Sequence, residues 1–262
     1  MPINNPFLDS YMKNEIKWYK LKEYEEGDVK VISKSITGRC DDYLNKNFRI
    51  GTPDTPILLL DGELWMSLSF MEIQSHWVPI RMAHGKCATG GLGLGYCALK
   101  MAAKPEVKSL DVYETEQGVI DFFNKSFSRR KGFKKINLIR GDVLETMKKK
   151  TYDFVYMDIY KTMCEDKAIT DCRELRKNND IYMYRYWCEE KVVCTARASM
   201  GMDVFLYNEE NEFFRMWTEA QIGTGPKGKT LCDLYEPLYD DKYVRKCIRL
   251  NRLCLGRLRR TV

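Results

Sequence analysis

The chain has 262 residues, 44% of them hydrophobic, a formal net charge of +6, and ten cysteines against two histidines. That length and apolar share are enough for a sizeable core, while no run approaches the roughly 20 uncharged apolar residues of a membrane helix. Residues 1–15 lack the basic flank and apolar centre of a secretion signal, so a cytoplasmic protein with reduced cysteines is expected.

The first 50 residues are polar and aromatic, with a helix expected over 11–24 and a short strand over 29–33. Ile57-Leu58-Leu59-Leu60 then meets Asp61-Gly62 and continues as Glu63-Leu64-Trp65-Met66. An Asp-Gly pair between apolar runs is a strong hairpin signal, because both residues tolerate the positive φ that a tight turn demands. Over 70–83, Ile73, Trp77 and Ile80 recur at helical spacing, which puts Glu72 and His76 one turn apart on a neighbouring face. There they can form an acid/base pair, or simply a polar helix face. His84 reads as a loop residue.

From residue 86 to 160 short apolar strands alternate with helical stretches, the pattern of a parallel sheet with helical crossovers. Gly91-x-Gly93-x-Gly95 follows the first strand, where glycine lets a backbone turn sharply and approach a ligand. Glu114 ends the second strand about twenty residues on, the offset at which a carboxylate accepts from ribose hydroxyls. Asp142 follows the third strand, placed to accept from an adenine amine, and Asp158 follows the fourth. All four markers fall on the carboxyl edge of the sheet, where ligands of open α/β folds bind. An acid after a strand is also an ordinary helix cap.

Beyond residue 161, helices are expected over 165–176 and 181–197, a mobile loop at Gly223–Lys229, and a basic helix from 242 to about 255. Tyr160 and the run Tyr182, Tyr184, Tyr186 and Trp187 suit either stacking on an acceptor or core packing. The basic segment 242–260 (Lys242, Arg245, Lys246, Arg249, Arg252, Arg260) either packs on its own domain or meets nucleic acid, an acidic protein or a second copy in a homodimer. A second block, 125–135, carries six basic residues and no acid. With no CxxC pair and only His76 and His84, a zinc cluster of ordinary spacing is not expected, and no metal is assigned.

Across these residues the chain resembles class I S-adenosylmethionine-dependent methyltransferases. Over 57–160 the runs ILLLDGELWMSLSFMEIQSHWVPI, GGLGLG, VYETEQGVIDFF, RGDVLETM and YDFVYMDIY resemble the spermidine-synthase-like branch, including uncharacterised phage and Firmicute proteins. The resemblance implies an α/β fold: a Rossmann-like, mostly parallel sheet with helices on both faces over 84–262, preceded by a helix and β-hairpin region over 1–83. It implies S-adenosylmethionine as cofactor, with Gly91, Gly93 and Gly95 beneath its methionine part, Glu114 on the ribose and Asp142 on the adenine. Asp158 would face the reacting centre, with His76, Glu72 and Tyr160 as further catalytic candidates. Polyamine synthases carry another acid and a proline after this aspartate, whereas this chain reads Asp158-Ile159-Tyr160-Lys161. The expectation is therefore methyl transfer to an unidentified acceptor. Aminopropyl transfer from the decarboxylated cofactor is the alternative, and a non-catalytic phage-type binding protein, in the host cytoplasm, is another.

Overall fold

The structure, a computed structural model, describes residues 9–35, 37–41, 43, 48–50, 54–161 and 167–189. The basic segment 242–260, the loop Gly223–Lys229 and residues 190–197 of the stretch expected as a helix over 181–197 lie outside them.

Helix α1 (Asp9–Tyr19) leads into β1 (Tyr24–Glu26) and β2 (Val29–Lys34), then a two-stranded ribbon, β3 (Arg39–Asp41) and β4 (Phe48–Ile50). The expected hairpin is β5 (Thr55–Leu60) and β6 (Glu63–Ser67), with Leu60 paired to Glu63 across the turn. Asp61 and Gly62 both have positive φ, 53° and 79°, as a two-residue turn with the strands' own twist requires. This hairpin belongs to a four-stranded antiparallel sheet, ordered β1-β2-β5-β6.

Helix α2 (Phe70–Met82) starts where Ser69 Oγ accepts from the Glu72 N–H. The second sheet follows: β7 (Gly85–Gly90), α3 (Tyr96–Ala102), β8 (Val107–Glu114), α4 (Gln117–Phe127), β9 (Ile136–Arg140), α5 (Val143–Thr146), β10 (Thr151–Met157), α6 (Lys167–Asn178) and β11 (Asp180–Tyr186). Its five strands are all parallel, in the order β11-β10-β7-β8-β9. This is the Rossmann-like α/β arrangement, and the order in which strands are added reverses between β7 and β10, the switch point where ligands of open α/β sheets bind.

The central strands explain the sheet's stability. Cys87, Ala88, Val112, Phe154, Val155 and Met157 are fully buried, and α4 turns Val119, Ile120, Phe122, Phe123 and Phe127 into the same core. That core is continuous with residues from the first sheet and helix, including Met12, Tyr19, Val31 and Leu58. Tyr19 donates from its hydroxyl to the Leu94 carbonyl, and Tyr96 to Glu15, so α1 is tied directly to the glycine turn and α3.

One expected element is corrected. Residues 180–186 form strand β11 rather than the start of a helix, pairing in parallel with β10 from Thr151↔Asp180 to Met157↔Tyr186. Ile181, Tyr184 and Tyr186 are buried while Tyr182 is 73% exposed. Aromatic and β-branched residues at alternate positions fit a pleated surface better than a helix, and that period outweighs the charged residues that follow.

The basic block 125–135 is partly committed to the fold. Lys125 pairs with Glu26, Arg130 donates to the Trp18 carbonyl, and Lys135 donates to the carbonyls of Lys104 and Val107.

Candidate functional site

Strands β7 and β10 leave the sheet side by side. The Asp158 N–H donates to the Gly90 carbonyl and the Gly91 N–H to the Tyr113 carbonyl, each at 2.8 Å. Gly91 has φ 88°, and a Cβ there would lie 2.2 Å from the Asp158 carbonyl oxygen. Only glycine allows the two exits to run this close. Gly93 (φ 50°) is approached from the other sheet: Met66 of β6 brings its sulfur to 2.3 Å from where a Cβ would stand, and the Leu94 N–H points at that sulfur at 3.2 Å. Gly95 caps α3 with its ring-side neighbour Phe123 in contact range of any added Cβ.

Glu114, at the end of β8, fastens the turn. One oxygen accepts from the Leu92 N–H at 2.9 Å and the other from the Glu116 N–H at 3.0 Å. A carboxylate has about four acceptor positions, so this leaves capacity for a ligand's hydroxyls. Asp142 follows β9 and is exposed; its carboxylate accepts from the Leu144 N–H at 2.8 Å and caps α5.

The acid/base candidates gather on the inner side of the same edge. The sequence puts Glu72 and His76 on a face beside the apolar one, but α2 is covered on nearly every side, with Glu72, Gln74, Ser75, His76 and Trp77 all buried. His76 Nε2 lies 3.1 Å from Asp158 Oδ2 and 3.4 Å from Glu72 Oε1. Side-chain exposure is 3% for His76, 11% for Glu72 and 23% for Asp158, so the cluster meets the outside through Asp158. Burial pushes the Glu72 carboxyl well up, helped by the charge of Asp158, and pushes Asp158 up too, with Glu114 adding to it. Burial draws the His76 imidazole down to about 3.

A narrow cleft open to solvent joins these groups to the turn. Glu72, His76 and Asp158 line it together with Gly91, Leu92 and Gly95, and Met66 and Leu68 close it from the first sheet. Sequence reasoning missed Met66, Thr89, Tyr156 and Cys97 in this lining. Thr89 and Tyr156 precede Gly90 and Asp158 by one and two residues, so their strand positions were the available signal. Burial pushes the Cys97 thiol well up, which makes it a neutral, inert group rather than a nucleophile. Tyr160 is not in the lining: its hydroxyl donates to Asp171 Oδ2 at 3.3 Å and its ring packs edge-on against Tyr186. His84 holds the Met82 carbonyl from a loop.

No family model and no curated protein matches the chain. Among solved structures it is similar to the spermidine synthase of Thermotoga maritima, at 14% identity over 48% of this chain and 46% of that one, TM-score 0.36. It is also similar to a DhpI–SAM–HEP complex, at 10% identity over 39% and 46%, TM-score 0.31. A putative RNA methyltransferase from Pyrococcus horikoshii matches at 16% identity over 46% and 59%, TM-score 0.34. The likeness is one of fold. The match spans about half the length of the first two, and the chemistry rests on this chain's own residues. No helix among the described residues is long and apolar enough to cross a membrane.

Proposed function

We propose that this chain binds S-adenosylmethionine at the switch-point cavity and transfers its methyl group to an acceptor held on the side of Asp158. The observation that carries the reading is the joining of a positive-φ glycine turn, braced by Glu114, to a buried polar cluster through one cavity. Glycines 91, 93 and 95 would lie under the methionine part, Glu114 would accept from the ribose, and Asp142 would accept from the adenine amine. The three solved structures bear on this only through their names: a spermidine synthase, a complex with SAM, and a putative RNA methyltransferase.

The reaction needs little covalent help from the protein, since the sulfonium is already an activated methyl donor. Holding the acceptor atom in line with the S–CH₃ bond supplies most of the rate, and a narrow cleft preserves that geometry. Calorimetric titration of the full chain with S-adenosylmethionine, S-adenosylhomocysteine and methylthioadenosine tests the reading. Binding of the first two in the micromolar range is expected. No heat with any of the three overturns it, and a marked preference for decarboxylated S-adenosylmethionine redirects it to aminopropyl transfer.

A further inference from the structure

The ring of His76 is oriented by its neighbours in a way that leaves its other nitrogen facing the wrong groups. Ser75 Oγ donates its one hydrogen to the Glu72 carbonyl at 2.9 Å and accepts from the Trp187 indole N–H at 3.0 Å. Its remaining contact is 3.3 Å to His76 Nδ1, and with the hydroxyl hydrogen on the Glu72 carbonyl that contact is one in which Nδ1–H donates to Ser75. A neutral imidazole protonated on Nδ1 presents a bare lone pair at Nε2. That lone pair points at carboxylate oxygens of both Glu72 and Asp158. Three potential ligand atoms thus converge in a mostly buried site, where a shared proton or a cation must hold them together.

We propose that Glu72, His76 and Asp158 form a binding site for one hexacoordinate divalent metal ion, open toward the cavity. The separations fit. Cis ligands of an octahedral ion at about 2.1 Å lie about 3.0 Å apart, close to the observed 3.1 and 3.4 Å, and the three ligand atoms all fall within 4.8 Å of one another. Charge fits as well, because two carboxylates and a neutral imidazole around a divalent ion sum to zero in a mostly buried site. The Nδ1–H to Ser75 contact is the outer hydrogen bond that ligating histidines commonly make, and Trp187 holds Ser75 in turn. A ligand set of two hard oxygens and one imidazole nitrogen suits manganese(II) or iron(II) better than zinc in a thiolate cage or calcium in an all-oxygen one.

A second observation points into the same space. The hydroxyls of Thr89 and Tyr156 are buried, 2% and 1% exposed by residue, and have no hydrogen-bond partner among the described residues. Both residues line the cavity, and the Tyr156 ring stands edge-on to His76 with centroids 5.7 Å apart. Three protein ligands leave the other positions of an octahedral ion to water or an acceptor's oxygen, and these two hydroxyls are the unclaimed partners for such ligands. The site stands whether or not the cavity takes S-adenosylmethionine.

Manganese(II) is the probe. Chelator-treated, tag-free full-length protein is titrated calorimetrically and followed by electron paramagnetic resonance, with pulsed detection of ¹⁴N coupling to the ion. One ion per chain is expected, with imidazole coupling that disappears in His76→Gln and an affinity at least tenfold weaker in Glu72→Gln and Asp158→Asn. The wild-type ¹⁴N signal requires no variant, and Asp158→Asn lies at the exposed end of the cluster, so it decides if Glu72→Gln does not fold. No uptake by folded wild-type protein, uptake without nitrogen coupling, or an affinity unchanged in folded Asp158→Asn would each overturn the proposal. Cofactor titrations are run separately, so failure here leaves the transferase reading untouched, and the reverse.

Discussion

At the β8 and β9 end of the carboxyl edge, Glu114 and Asp142 are held by main-chain N–H groups, and both remain at least partly open to solvent. At the β7 and β10 end, Glu72, His76 and Asp158 face one another, with the hydroxyls of Thr89 and Tyr156 buried beside them and without a hydrogen-bond partner among the described residues. The first end is complete as protein. A ligand adds to interactions that already have a structural use. The second end is incomplete as protein, since buried polar groups without partners cost about 1–3 kcal/mol each and persist where something else satisfies them. Binding at the first end should therefore be graded, and at the second it should depend on geometry held by very few residues.

The severest test of that division is Gly91→Ala, because Gly91 joins the two ends. Its Cβ would meet the Asp158 main-chain oxygen at 2.2 Å, an atom that cannot rotate away, on a backbone with φ 88°. A loss of about 3 kcal/mol is expected from strain and clash together, a fall of about 10 °C in Tm by thermal denaturation. Both cofactor and manganese(II) binding should weaken with it. A stable variant with intact binding at both ends would separate the turn from the cluster.

Next comes Glu114→Gln, whose hydrogen bonds lie at the first end although its charge also bears on Asp158. The amide keeps the shape and one good acceptor but loses the charge, so Kd for S-adenosylmethionine should rise about tenfold, or about 1.4 kcal/mol. Manganese(II) affinity should hold steady, and calorimetry reads both. An equal loss at the two ends would show Glu114 acting through the fold of the turn.

These two ends were not equally legible from the residues. The Asp61-Gly62 hairpin, the glycine turn and the acids at strand ends are local patterns, each set by backbone geometry within a few positions, and they appear where expected. The cluster is not local. Glu72 and His76 look like a polar stripe because their burial depends on β3, α1 and α3 covering α2, and none of those contacts is written into the helix itself. Two histidines in the whole chain argue by count against a zinc cluster of ordinary spacing, and the site proposed above, rich in oxygen ligands, would need only one. Strand β11 was misread for a related reason: Tyr182, Tyr184 and Tyr186 share one face of the strand, but the edge position exposes Tyr182 while Tyr184 and Tyr186 are buried, which blurs the pattern.

A smaller effect is expected at Met66, which reaches from the first sheet onto the glycine turn. With its sulfur beside Gly93 and the Leu94 N–H, it stands where the methionine part of the cofactor is proposed to lie. Met66→Ala removes a flexible side chain that is only half-buried, so the fold should lose little. Cofactor Kd should fall about threefold, less than 1 kcal/mol. A higher Kd would instead make Met66 part of the wall that grips the methionine moiety.

Asp142 gives the finest distinction, since its cap and its proposed adenine contact use the same carboxylate. Asp142→Ala should lower stability by about 0.5–1 kcal/mol through loss of the cap on the short helix α5. Asp142→Ser restores an oxygen that can accept from the Leu144 N–H but is too short to reach a ligand while doing so. Thermal denaturation should therefore return close to wild type in the serine variant. If the carboxylate also accepts from adenine, cofactor affinity stays as weak in Asp142→Ser as in Asp142→Ala, a few-fold below wild type. Recovery of both stability and affinity would assign Asp142 to the helix alone, leaving Glu114 as the only carboxylate of the first end that a ligand uses.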